Sequence, residues 1–183
     1  MSTLLPPQEI TVQYIQARYK SILAEVSCVT PLASWSVQPN GVFLTSHKSK
    51  YGWAKTDGTI EVNQWYLGTQ AVNKLDMTIR HELAHLCRGL THAHDRAWTR
   101  TAMLFGVRDD LVPVSEIEQI KSRIPYKYQV YANLANGERR ALGGAHKKTK
   151  RYTEYNPNDR YKQMTIDRIR VLSFDFEEHE HHD

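Results

Sequence analysis

Residues 81–98 read HELAHLCRGLTHAHDRAW, four histidines and one glutamate in eighteen positions. His81 and His85 stand one helical turn apart, so their imidazoles can meet one ion without distorting the backbone, and Glu82 points to the flank of that pair. Two ligands do not hold a catalytic zinc, which takes three protein donors and keeps a fourth position for water. The third donor must come from His92 or His94, beyond the helix-breaking Gly89. His94 is favoured: a helix following it would put His94 and Trp98 one turn apart on one face, with Trp98 buried beneath the ligand. His92 then lies behind the ligands or faces solvent.

Working outward, Val72, Leu75, Ile79, Leu83, Leu86 and Leu90 fall within a narrow arc at 100° per residue, which predicts a helix from Ala71 to about Arg88. His81 and His85 project from its opposite side, toward a cleft. Gly89 is a natural stop and Thr91 an N-cap for a further helix running through AWTRTAMLF to Gly106. Upstream, Val12, Ile15, Tyr19, Ile22 and Val26 form one apolar stripe on a helix whose first turn tolerates Pro6 and Pro7. Between these helices, SWSVQPNGVFLTS and SKYGWAKTDGTIEVN carry strand formers around Asn40-Gly41 and Asp57-Gly58, and read as antiparallel strands joined by tight hairpins.

The ligand set determines the chemistry to expect. Three neutral imidazoles leave zinc its full charge, enough to lower the pKa of water to about 7 and to polarise a carbonyl. Glu82, adjacent to the metal without binding it, suits a general base that takes a proton during attack and returns it to the leaving amine. Peptide-bond hydrolysis is the leading reaction, with another hydrolysable amide left open. One Zn2+ ion is the expected cofactor, although manganese or cobalt could occupy such a site in vitro.

Beyond Pro125 the pattern changes. YKYQVYANLANGERRAL alternates around Asn136-Gly137, and RYTEYNPNDRYKQMTIDRIRVLSFDF has a turn at Asn156-Pro157 between strand-like runs, which predicts a β-ribbon. Ten Lys or Arg stand against four Asp or Glu from Gly137 to Arg170. Lys147, Lys148, Lys150, Arg151, Arg160 and Lys162 interleave with Tyr152, Tyr155 and Tyr161. Cations that bind phosphates, beside rings on which unpaired bases stack, suit single-stranded or damaged DNA. The final EEHEHHD reads as a solvated acidic tail. The expected division is therefore 1–124 for a catalytic core, 125–174 for a basic extension and 175–183 for the tail.

A chain of 183 residues with 40% hydrophobic content can bury a core, and its two cysteines, Cys28 and Cys87, are too few for a disulfide scaffold or a Cys-rich zinc module. No stretch approaches the roughly 20 apolar residues of a membrane helix, and MSTLLPPQEI lacks the regions of a signal peptide, which predicts a cytoplasmic or nucleoid-associated protein.

HELAHL at 81–86, the later HDRAW at 94–98 with its aromatic four positions after the histidine, and the upstream GTIEVN strand together resemble the SprT/Spartan family of zinc metalloproteases. The resemblance covers about residues 8–125. It implies an α+β fold, a minimal zincin-like core of helices packed on a small antiparallel sheet, and cleavage of flexible protein segments near DNA. It also implies His81, His85 and His94 as zinc ligands and Glu82 as catalytic base. Two departures stand out: Asp95 follows the third histidine where the family commonly has glycine, and the C-terminal ribbon lacks the zinc-ribbon cysteines of bacterial members. Without zinc, the ribbon would depend on packing of Tyr126, Tyr128, Tyr131, Ile166, Ile169 and Val171.

Three readings follow. The first is a zinc endopeptidase acting on DNA-associated or DNA-crosslinked proteins. The second is a zinc metallopeptidase that processes one dedicated protein without DNA. The third is a non-enzymatic nucleic-acid-binding module with a structural metal. Glu82 and the absence of a suitably spaced cysteine argue against the third, because structural zinc sites fill all four positions, usually with thiolates.

Overall fold

The computed structural model describes residues 9–47 and 49–178 and is a mixed α+β protein. Contacts divide the chain into two compact units, meeting between Ile124 and Pro125.

In the first unit, α1 (Val12–Val29) buries Ile15, Tyr19, Ile22 and Val26 and is capped by the Thr11 side chain, which accepts from the Tyr14 amide. Val12 does not join that stripe; at 38% exposure it sits in the first turn, clear of the core. Pro6 and Pro7 lie outside the described residues. Strands β1 (Val42–Thr45), β2 (Gly52–Ala54) and β3 (Ile60–Asn63) form a sheet in the order β1-β3-β2.

The sheet is mixed rather than antiparallel. β2 and β3 are the hairpin expected at Asp57-Gly58, with Gly52 opposite Val62 and Ala54 opposite Ile60, but β1 runs parallel to β3, Val42 against Ile60. Asn40-Gly41 is no hairpin turn. The Asn40 amide donates to the Gly58 carbonyl and the Ile60 amide to the Gly41 carbonyl, so this pair leads β1 in beside β3. The chain then crosses over to lay β2 on the far side of β3.

Helix α2 (Val72–Arg88) packs on this sheet with Leu75, Ile79, Leu83 and Leu86 fully buried. It ends at Gly89, whose φ of 99° is readily available to glycine. Helix α3 (Arg96–Leu104) starts later than Thr91 suggests: Asp95 is its N-cap, accepting from the Trp98 amide at 2.9 Å. Helix α4 (Val114–Ser122) completes the unit.

In the second unit, β4 (Tyr128–Leu134) and β5 (Arg139–Ala145) form the hairpin around Asn136-Gly137. The rest differs from a plain ribbon. Residues Lys150–Thr153 make a helical turn, α5, where a strand was expected before Asn156-Pro157, and the chain returns to extended form at β6 (Thr165–Ile166) and β7 (Ile169–Glu178). The sheet order is β5-β4-β7-β6. Because β7 pairs with β4 as far as Tyr128 opposite Glu178, residues 175–178 are strand and not tail; residues 179–183 lie outside the described residues.

Ala132, Leu134 and Val171 make this unit's small core, with Ile166, Ile169, Tyr155, Met164 and Phe174 against it. The three tyrosines expected there do other work. Tyr128 meets Phe176 edge-on, Tyr131 lies under the Arg139 guanidinium at 3.7 Å, and Tyr126 fills the space beside Gly144. No helix among the described residues is long and apolar enough to cross a membrane.

Candidate metal centre

The structure brings His81, His85 and His94 together: the Nε2 of His94 lies 3.0 Å from that of His81 and 3.1 Å from that of His85. Helical periodicity supplies the first pair. The third arrives by an irregular path, since His94 precedes α3 and has a φ of 56°, a left-handed conformation that costs a non-glycine residue roughly 1–2 kcal/mol. Asp95, in the position of the family's glycine, is extended at φ −67° and locks the turn from both sides. One carboxylate oxygen caps α3, while the other meets His92 Nδ1 at 2.5 Å. The His92 side chain is thereby directed to Asp95, while its backbone hydrogen-bonds the His85 ring.

Beneath the three rings lies Trp98, 8% exposed, with centroid separations of 4.3 Å to His94, 4.7 Å to His81 and 5.0 Å to His85. Trp98 is thus buried beneath the ligand as expected, edge-on to His81 and His94, although His94 precedes α3 and the helical register expected to bring them together is absent.

The donor set fits a metal such as zinc. An imidazole nitrogen carries either one N–H or one in-plane lone pair, so His94 Nε2 cannot satisfy two neighbouring nitrogens by hydrogen bonding. Three lone pairs converging on a cation resolve that conflict. Tetrahedral bonds of about 2.0–2.1 Å put ligand nitrogens roughly 3.3 Å apart, close to the separations seen. Burial pushes His81 and His85 down to about 4, the neighbouring imidazoles adding to the depression, so both are neutral at physiological pH as ligation requires.

Glu82 follows His81 on α2 but turns toward β2. It is 7% exposed, and Oε2 accepts from the Ala54 amide at 3.0 Å. Burial raises its pKa to about 7, against the opposing pull of the Ala54 amide and the Lys50 charge. A carboxylate poised there can gain or lose a proton with little driving force in either direction.

Several residues that support the site gave weak or no sequence signal. Gly52 makes room for Glu82: a Cβ there would sit 2.6 Å from Thr78 Cγ2 and 3.1 Å from both Cγ and Oε1 of Glu82. Buried Glu116 on α4 caps α2 from outside, accepting from the Lys74 amide at 2.7 Å and Asn73 Nδ2 at 2.6 Å. The clue to such an external cap was the lack of a capping side chain at Ala71. Asn63, in the GTIEVN stretch, donates through Nδ2 to the carbonyls of His47 and Lys50 and so clamps the loop before β2.

A cleft of about 360 Å³ adjoins the three histidines and is lined as well by Lys50, Tyr51 and Gly52 at the start of β2, by Lys74, Met77 and Thr78 of α2, and by Asp109. A larger, more open depression of about 780 Å³, between Arg96, Arg100, Met103 and Leu104 on α3, contains none of this donor chemistry.

In the second unit, Lys147, Lys148, Lys150 and Arg151 are exposed around the start of α5, with Thr149 between the two pairs, while Arg160 and Lys162 lie exposed on a separate turn. The tyrosines divide. Tyr161 is 99% exposed, whereas Tyr152 packs on Phe174 at 4.5 Å and Tyr155 uses its hydroxyl to donate to the Val171 carbonyl and accept from the Met164 amide.

Neither a family model, a curated protein nor a solved structure matches the chain.

Proposed function

We propose that the protein is a zinc-dependent endopeptidase of the SprT/Spartan kind, built on a minimal zincin-like core, that cleaves DNA-associated or DNA-crosslinked proteins. The observation that carries this reading is the convergence of His81, His85 and His94 at Nε2 separations of 3.0 and 3.1 Å, beside a buried carboxylate that does not join them.

When bound by these imidazoles, zinc supplies a Lewis acid that polarises a carbonyl and lowers the pKa of water to about 7. The chain's own groups do the rest. Glu82 keeps Oε2 on the Ala54 amide, which leaves Oε1 to take a proton and deliver it to the leaving amine. Trp98 holds the three rings in register and excludes water from beneath them. Asp95 secures the turn that presents His94.

DNA enters the proposal through Lys147, Lys148, Lys150 and Arg151, four exposed cations within five residues. A second reading, a zinc metallopeptidase that processes a dedicated protein without DNA, draws support from the inward packing of Tyr152 and Tyr155, which removes two of the three rings offered for base stacking. The test is to measure bound metal and proteolysis of a DNA-binding protein, with and without single-stranded DNA, in the wild type and Glu82→Gln. Metal-dependent cleavage stimulated by DNA supports the first reading. Cleavage indifferent to DNA supports the second, and no cleavage at full metal content refutes both.

A further inference from the structure

Two lysines line the cleft beside the histidines, and their surroundings differ. The Lys74 ammonium is paired with Asp109 at 2.9 Å, and its side chain is 15% exposed. Lys50 has no carboxylate partner among the described residues. Its Nζ stands 3.5 Å from the centroid of the Trp53 ring, a contact that holds a cation in place without cancelling its charge.

The backbone beneath it is fixed as well. Asn63 is 3% exposed, and its side-chain amide donates to the Lys50 carbonyl at 2.8 Å and the His47 carbonyl at 2.6 Å, while Oδ1 accepts from the Trp65 amide at 3.1 Å. His47 in turn packs edge-on against Trp53 at 5.6 Å. A buried amide, an exposed indole and a loop histidine thus hold Lys50, one of the residues lining the cleft, with its ammonium over the indole and no carboxylate partner among the described residues. Its charge reaches Glu82 and His85.

We infer that Lys50 is a specificity residue: it recognises a substrate side-chain carboxylate, so that the cleft prefers segments carrying Asp or Glu close to the bond presented to the three histidines. This rests on the peptidase reading above. A fixed, unpaired cation gains a charge-assisted hydrogen bond from a carboxylate and a weaker neutral one from an amide. The neutralised Lys74–Asp109 pair in the same cleft offers no such preference for an anion.

The experiment uses the zinc-loaded full chain and peptides identical except for Glu, Gln or Lys at each of four positions on either side of the cut. In parallel, anisotropy measures binding of the same peptides, fluorescently labelled, to zinc-loaded Glu82→Gln. In the wild type, Glu is preferred over Gln by about tenfold at one position, in cleavage and in binding. Lys50→Gln removes the preference, Lys50→Arg keeps it, and Lys50→Glu turns it toward Lys, with circular dichroism and metal content unchanged. The preference also shrinks with added salt.

The inference is overturned by equal Glu and Gln values in both arms, by a preference that survives Lys50→Gln, or by a uniform loss over all peptides, which would place Lys50 on the reacting carbonyl instead. It is equally overturned if Lys50→Gln weakens a single-stranded oligonucleotide and leaves peptide preference untouched. If no peptide is cut, the peptidase reading fails, and the binding arm still decides the role of Lys50.

Discussion

Gly52 and Thr78 stand too close for a side chain between them: a Cβ at residue 52 would lie 2.6 Å from Thr78 Cγ2, and 3.1 Å from Glu82 Cγ and Oε1. Gly52→Ala is expected to destabilise the protein by about 1–3 kcal/mol and to shift Glu82 by a few tenths of an ångström. Thr78→Ser removes the nearer methyl while keeping the hydroxyl that bonds Tyr66 at 2.7 Å. The double variant Gly52→Ala/Thr78→Ser should therefore recover part of the loss in urea unfolding. Purely additive effects would mean that the clash is not what the glycine avoids.

Glu82→Gln should keep zinc stoichiometry and circular dichroism unchanged and lower cleavage by about 10²–10⁴-fold. Atomic absorption with a fluorogenic peptide assay checks both at once. Residual activity near wild type would dismiss Glu82 as the proton carrier.

His94→Ala should weaken zinc binding by more than the roughly 10–100-fold typical of residues behind the ligands. His92→Ala should stay within that lesser range, because its side chain meets Asp95 and the backbone contact it makes to His85 is kept. Competition with a chromogenic chelator ranks the two variants, and a reversed order would move the third donor to residue 92.

The pH dependence of the metal-free protein has two opposing parts. His81 and His85 are pushed down to about 4 in the folded state, so the unfolded chain takes up protons first; stability present above pH 6.5 is lost as pH falls from there toward 4. Glu82 is pushed up to about 7, so its contribution is full below its ordinary value of 4.5 and is lost as pH rises through 7. In EDTA, Glu82→Gln should consequently become more stable than wild type as pH climbs from 4.5 to 7.5, by on the order of 3 kcal/mol. A stability gap independent of pH would contradict the burial of the carboxylate.

Replacing Lys147, Lys148, Lys150 and Arg151 together with glutamine should reduce affinity for single-stranded DNA and flatten its dependence on salt, without changing cleavage of a short peptide. Unchanged affinity would remove the extension from the nucleic-acid surface. Tyr161→Ala is expected to weaken DNA binding further, whereas Tyr155→Phe should cost about 1 kcal/mol of stability, since it removes the half-buried hydrogen bonds to the Met164 amide and the Val171 carbonyl.

The sequence by itself determined whatever depends on neighbours along the chain. The 3.6-residue period sets His81 and His85 on one face of α2 and Leu75, Ile79, Leu83 and Leu86 on the other, and the Asp57-Gly58 and Asn136-Gly137 turns join their flanking strands into hairpins. Tertiary structure decided the rest, because those features are contacts between residues far apart in sequence. Parallel pairing of β1 with β3 depends on a crossover that no local pattern encodes. The approach of His94, the burial of Glu82 between α2 and β2, and the fixing of Lys50 by Asn63 arise in the same way: each side chain acquires its chemistry from groups that only the folded chain brings within bonding distance.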